Sequence, residues 1–101
     1  MVLSEWQYHA MRVQIMLCIR DKFEGYAPSI DRVVDYLVRH TPWSNKPLIA
    51  RFNELERYGL IKITRNPLGF PHSIQLLIPT TTSDDSIHQL LKRGGIYKQE
   101  Y

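Results

Sequence analysis

The stretch Ser44-Asn45-Lys46-Pro47-Leu48-Ile49-Ala50-Arg51-Phe52-Asn53-Glu54-Leu55-Glu56-Arg57-Tyr58-Gly59-Leu60-Ile61 changes its hydrophobic period partway along, and that change decides the fold. Up to Leu55 the apolar side chains recur at helical spacing, so that Leu48, Ile49, Phe52 and Leu55 form an inward stripe. Ser44 is placed to cap this helix, with Trp43 and Leu48 in the two positions of a hydrophobic staple. Pro47 falls in the first turn, where a missing N–H matters least. Gly59 supplies a left-handed C-cap, and Leu60 can fold back on the last turn. Beyond it the period drops to two. Ile61 and Ile63 alternate with Lys62 and Thr64, and Ile74, Leu76 and Ile78 alternate with Gln75 and Leu77. Strands are expected over 60–65 and 73–78, joined by the turn-forming run Asn66-Pro67-Leu68-Gly69-Phe70-Pro71-His72.

Two more helices are read upstream. Ser29 caps the second, with Asp31 in the first turn, where a negative charge suits the helix dipole. Ile30, Val33, Val34, Leu37 and Val38 repeat with helical period, and Thr41-Pro42 takes the backbone out of the helix. The first helix opens at Ser4, which forms a capping box with Gln7, while Leu3 can staple against Tyr8. It is expected to run to Phe23, before a stop at Glu24-Gly25. Tyr8, Met11, Ile15 and Cys18 share one face, and Trp6, Val13, Leu17 and Ile19 carry the apolar surface beyond it. A helix apolar on two sides is either deeply buried or paired with another chain. Three helices bury such a surface with difficulty, so a homodimer is expected.

At the other end, Thr82 or Ser83 caps a short helix with Asp84 and Asp85 in its first turn and Lys92 and Arg93 in its last. Ile87, Leu90 and Leu91 give it a narrow apolar stripe, and Gly94-Gly95 ends it. The tail from Ile96 to Tyr101 carries no signal. The expected fold is therefore α+β and mostly α: three helices, a two-stranded hairpin and an additional short C-terminal helix. Residues 1–80 make one domain, and 81–101 belong to it or extend it for dimerisation. Trp6, Val13, Leu17, Leu90 and Leu91 are the candidate dimer contacts.

Bulk properties narrow the function classes. The chain has 101 residues and a net charge of +3, enough for one ordinary domain. Its pI is near 9.2, which permits a phosphate-binding face without requiring one. No apolar run reaches the ~18 residues of a membrane span, and no secretory signal precedes the first helix. The single cysteine, Cys18, favours a reducing, cytoplasmic setting. It reads as a small core hydrophobe, with an intermolecular disulfide or a reactive thiol as alternatives. His9, His40, His72 and His88 are far apart and lack metal-ligand spacing. No nucleophile–base pair, catalytic carboxylate pair or phosphate-cradling glycine motif is present. Neither an enzyme, a cofactor, a metal nor a small-molecule ligand is expected.

The order helix, helix, turn, helix, hairpin resembles a winged helix-turn-helix. The segments Gly25-Tyr26-Ala27-Pro28-Ser29 and Leu55-Glu56-Arg57-Tyr58-Gly59-Leu60-Ile61 carry the resemblance. They are similar to the G-Y-x-P-S and L-E-x-x-G-L-I segments of the N-terminal DNA-binding domain of the SOS-response repressor. Tyr36 departs from the usual small residue in helix 2, and the turn Arg39-His40-Thr41-Pro42-Trp43 is bulkier than the common one. Small stand-alone winged-helix proteins of phages, plasmids and archaeal viruses are of similar size. A viral origin would place the protein in the host cytoplasm.

The resemblance implies double-stranded DNA as partner, transcription regulation as role, and helix 3 as the helix that enters the major groove. On its outer face lie Lys46, Ala50, Asn53 and Arg57, with Ser44 and Asn45 at the tip. Asn pairs with adenine, Lys or Arg with guanine, and Ala50 can meet a thymine methyl. Ser44, Asn45 and the first-turn N–H groups suit phosphate. Arg51 is a further candidate contact, and Glu54 either accepts from cytosine or pairs with Arg51 or Arg57. In the wing, Lys62, Arg65 and His72 would reach the backbone or minor groove. The basic side chains of the first two helices (Arg12, Arg20, Lys22, Arg32, Arg39) read as solvated. A replication-initiation accessory, or a protein-interaction module that touches no DNA, are the competing functions.

Overall fold

Helix α1 (Glu5–Asp21) starts where expected: the Ser4 backbone N–H donates to Gln7 Oε1 at 2.7 Å, the return half of the capping box. The computed structural model describes residues 3–95. Helix α1 stops two residues before the expected Phe23. There the Lys22 and Phe23 amides both bond Cys18 O, and the chain turns through Glu24 and Gly25 at φ +54° and +93°. A Cβ on Gly25 would lie 2.9 Å from Thr80 Cγ2, so both conformation and space ask for glycine there.

Strand β1 (Tyr26–Ala27) follows, then helix α2 (Ile30–His40) behind its Ser29 cap, whose hydroxyl accepts from the Arg32 amide. After the turn at 41–44 comes helix α3 (Asn45–Arg57). Gly59 sits at φ +79°, and the Leu60 amide bonds back to Leu55 O. Strands β2 (Ile61–Arg65) and β3 (Pro71–Leu76) form the hairpin, and helix α4 (Asp84–Lys92) closes the order behind Ser83.

The architecture is α+β and mostly helical: four helices and a three-stranded antiparallel sheet of order β1-β3-β2 among the described residues. The sheet corrects the two-stranded expectation. Two residues of β1 pair with Gln75 and Ile74 of β3, a strand too short to leave an alternation in the sequence. The second hairpin strand is 71–76, not 73–78. Pro71 occupies its first position, opposite Arg65, where a proline costs the ladder least. An irregularity in register lies between Thr64 and Arg65.

Helix α1 is the axis of the core, lying against α2, α3, α4 and the sheet. Met11, Ile15, Met16 and Ile19 are fully buried, around Val33, Leu48, Phe52, Leu55, Ile74 and Ile87 from the surrounding elements. This arrangement removes the reason for expecting a dimer from α1. Sheet and α4 cover the surface that three helices alone would have left open. Val13 and Leu91, two of the five candidate dimer contacts, are buried within the protomer at 5% and 4% exposure. Leu17 and Leu90 are half-buried against the same core. Trp6 stays on the surface at 70% exposure.

Polar ties fasten the outer elements. Trp43 Nε1 donates to Gln14 Oε1, joining the start of α3 to α1. Arg20 holds Asp84 at 2.8 Å and the Thr82 carbonyl at 2.9 Å, joining α1 to the start of α4. No helix among the described residues is long and apolar enough to cross a membrane. The expected tail from Ile96 to Tyr101 lies outside the described residues.

Candidate nucleic-acid interface

Helix α3 turns Leu48, Phe52 and Leu55 into the core, and that orientation dictates what its other face carries. Lys46, Ala50, Asn53 and Arg57, spaced at four, three and four residues, are all exposed. They form one stripe along the helix. Ser44 and Asn45 lie exposed at its N-terminal end. Lys46 and Arg57 take part in none of the ion pairs among the described residues.

Ile49 corrects the expected inward stripe: it is 47% exposed. Its neighbours one turn before and after are Lys46 and Asn53, so it belongs to the polar stripe by geometry and to the core only by chemistry. Helical spacing alone placed it, had its apolar character been set aside.

Arg51 is also corrected. Its guanidinium lies 4.1 Å from the centroid of the Tyr8 ring and its Nε 3.0 Å from Glu54 Oε1, with the side chain only 11% exposed. It therefore faces α1 and is held away from any groove that meets the outer stripe. Glu54 completes the same cluster by accepting from Arg12 Nε at 2.9 Å. Arg12, expected in solvent, is 6% exposed and also pairs with Glu5 at 3.2 Å. Two guanidinium groups thus engage the carboxylate that would otherwise repel phosphate.

The hairpin is tied to α3 by a second carboxylate. Glu56 Oε2 accepts from the Ile63 amide at 3.3 Å and from Arg65 at 3.2 Å, while Oε1 accepts from the other Arg65 terminal nitrogen at 3.2 Å. Strand β2 is an edge strand, and Glu56 occupies an N–H on its open side. Arg65 remains 40% exposed although paired. Lys62 is exposed, forms no ion pair among the described residues, and lies in register with Gln75, which is in register with Tyr26. These three form a row across the open face of the sheet. His72 is exposed beside the hairpin tip.

A feature of composition links these parts. From Arg57 to Ser83 the chain has no Asp or Glu, while it carries Arg57, Lys62, Arg65 and His72. Residue-by-residue reading passed over this run, although the sequence displays it. Among the described residues, only Glu56, reaching in from α3, brings a carboxylate to the hairpin.

Elsewhere the fold joins residues far apart in the chain. His9 Nε2 lies 3.1 Å from His88 Nδ1, linking α1 to α4, which separation along the sequence concealed. No group of three or more metal-ligating side chains forms among the described residues. Compared with family models, with curated proteins and with solved structures, the chain matches none.

Proposed function

We propose that the protein binds duplex DNA as a winged helix-turn-helix regulator of transcription, laying the outer face of α3 in the major groove with the hairpin as its wing. One observation carries this. The stripe Lys46, Ala50, Asn53 and Arg57 stands clear of internal ion pairs and adjoins a hairpin with no carboxylate of its own. Phosphate is met by cations and donors, and base edges by Asn, Lys and Arg. Ile49 and Ala50 add an apolar strip suited to thymine methyl groups. Pairing of Glu54 and Glu56 with arginines supports the same assignment, because it mutes the acidic groups nearest to the stripe.

Homodimerisation is carried forward as part of this reading, with Trp6 as the one of the five candidate contacts that does not pack against the core. Sedimentation of the free protein at tens of micromolar and of its DNA complex reads it directly.

The deciding experiment is binding to random-sequence duplex DNA across a salt series, followed by selection of preferred sites. Releasing counterions from two to four phosphates gives a slope of log affinity against log salt of about −2 to −4. Absence of binding at low salt would remove this function and leave a protein-interaction module. Mapping the selected sites to promoters, and not to replication origins, separates regulation from a replication accessory role.

A further inference from the structure

The hairpin tip is unusual for a surface that meets nucleic acid: it is largely apolar and offers no free backbone N–H. Leu68 and Phe70 are 80% and 63% exposed, among the most exposed large hydrophobic side chains described. Every tip N–H is already used. Asn66 N donates to Phe70 O at 2.9 Å and Gly69 N to Asn66 O at 2.8 Å. The Leu68 and Phe70 amides both donate to Asn66 Oδ1, at 2.9 and 3.0 Å, and Pro67 has no N–H.

This census excludes one mode of contact and favours another. A loop that cradles phosphate presents free backbone amides, and this one has spent them internally. The same bonds tie the loop to the Asn66 side chain, so Leu68 and Phe70 project from a braced turn. The turn is braced again at its base, where Glu56 holds Arg65 and the Ile63 amide to α3. An apolar wedge on a rigid mount, flanked along the strands by His72 and by Arg65 (itself paired with Glu56), with Lys62 further down β2 and no carboxylate of the hairpin's own, suits an anionic partner with an apolar interior. Duplex DNA is such a partner: its phosphates would lie along these basic side chains, and its base-pair faces become accessible when a step unstacks.

We infer that Leu68 and Phe70 form a wedge that enters the minor groove beside the α3 contact, opens one base step and bends the duplex. The inference rests on the duplex binding proposed above and adds deformation to it. Proteins that insert apolar side chains in this way kink DNA by about 20–90° toward the major groove. Pyrimidine–purine steps open most readily. The wedge therefore prefers TA or CA at one fixed distance from the bases that α3 reads, and selects sequence there without a hydrogen bond.

The test uses the full chain and a duplex of about three helical turns containing a selected site, labelled at both ends for energy transfer. A second duplex carries 2-aminopurine at the expected step. Wild-type protein should shorten the end-to-end distance and brighten the 2-aminopurine. The double variant Leu68→Ala, Phe70→Ala alters exposed side chains only, and circular dichroism should match wild type. It should bind with about tenfold to hundredfold lower affinity, leave the duplex straight and leave the 2-aminopurine dark. Wild-type binding to a straight duplex overturns the wedge while leaving DNA binding intact, as does equal bending by the double variant. Failure of the wild type to bind any duplex overturns both. An oligomer of the wild type that the double variant dissociates, with the DNA unbent, assigns the tip to self-association and overturns the wedge.

Discussion

Glu56 and Arg65 face each other through both carboxylate oxygens and both terminal guanidinium nitrogens, each contact at 3.2 Å. The pair fixes where the hairpin stands relative to α3. Because both side chains are well exposed, its contribution lies in orientation more than in stability. Glu56→Gln should leave the urea midpoint near that of the wild type. It should speed hydrogen exchange at the Ile63 amide, which loses its charged acceptor on the open edge of β2. Unchanged exchange at Ile63 would show that the carboxylate is incidental to the edge.

Glu54 should behave differently, because the Arg12 side chain it meets is 8% exposed and its own is 21% exposed. Removing one member of a largely buried pair leaves the other charged and without its main partner. Glu54→Leu should cost about 2–4 kcal/mol in urea denaturation. The further change Arg12→Met should recover much of it, since a packed apolar pair avoids desolvating ions. A loss no larger than that of Glu56→Gln would contradict the picture.

The histidine pair predicts an acid sensitivity. Burial, then the nearby His88, Arg12 and Lys92, hold the His9 imidazole below its ordinary value of 6.5, with Glu5 opposing. The unfolded chain therefore takes up this proton at a higher pH than the folded one. Stability from this group is complete above the ordinary value and is lost as pH falls through the lowered one. Urea midpoints compared at about pH 7.5 and about pH 5.5 should fall for the wild type. They should fall less for His9→Gln, and equal falls would remove His9 as a cause.

The two basic zones should separate by how their loss reads out on DNA. Arg57→Ala on the outer stripe should cost about 1–3 kcal/mol on a selected site and relax preference at one base position. Lys62→Ala on the sheet should weaken all sequences alike and reduce the salt slope by about 1. Electrophoretic or fluorescence titrations over a salt series check both. Identical behaviour of the two variants would place Arg57 on phosphate.

Local rules wrote most of this fold legibly. Ser29 and Ser44 stand at the N-cap positions where the spacing of Val33, Leu37, Leu48 and Phe52 placed them, Ser29 with its hydroxyl bonded to the Arg32 amide and Ser44 without a side-chain cap bond, and Gly59 turns at positive φ. What stayed hidden depends on partners distant in the chain. Strand β1 exists only because β3 offers an edge to Tyr26 and Ala27. Arg12 looked solvated because Glu54, 42 positions away, is invisible to periodicity. Arg51 looked available for the same reason, since Tyr8 and Glu54 claim it only in the folded chain. The exposure of Lys46, Asn53, Arg57 and Lys62 was legible because helical and strand alternation alone put them outside. Ile49 was misplaced by reading apolar as inward.

Cys18, in the last turn of α1, is 6% exposed, and burial pushes its thiol up to about 11. At neutral pH it is protonated and mostly covered, so an alkylating reagent reacts with it mainly in molecules whose last turn of α1 has opened. The chain thus carries a built-in stopwatch. The ratio of its labelling rate to that of a free thiol counts the open molecules at any moment, without denaturant. Every substitution discussed above can be ranked on that one scale in the native buffer, with DNA present or absent. A duplex that grips the folded form should slow the clock in proportion to its occupancy.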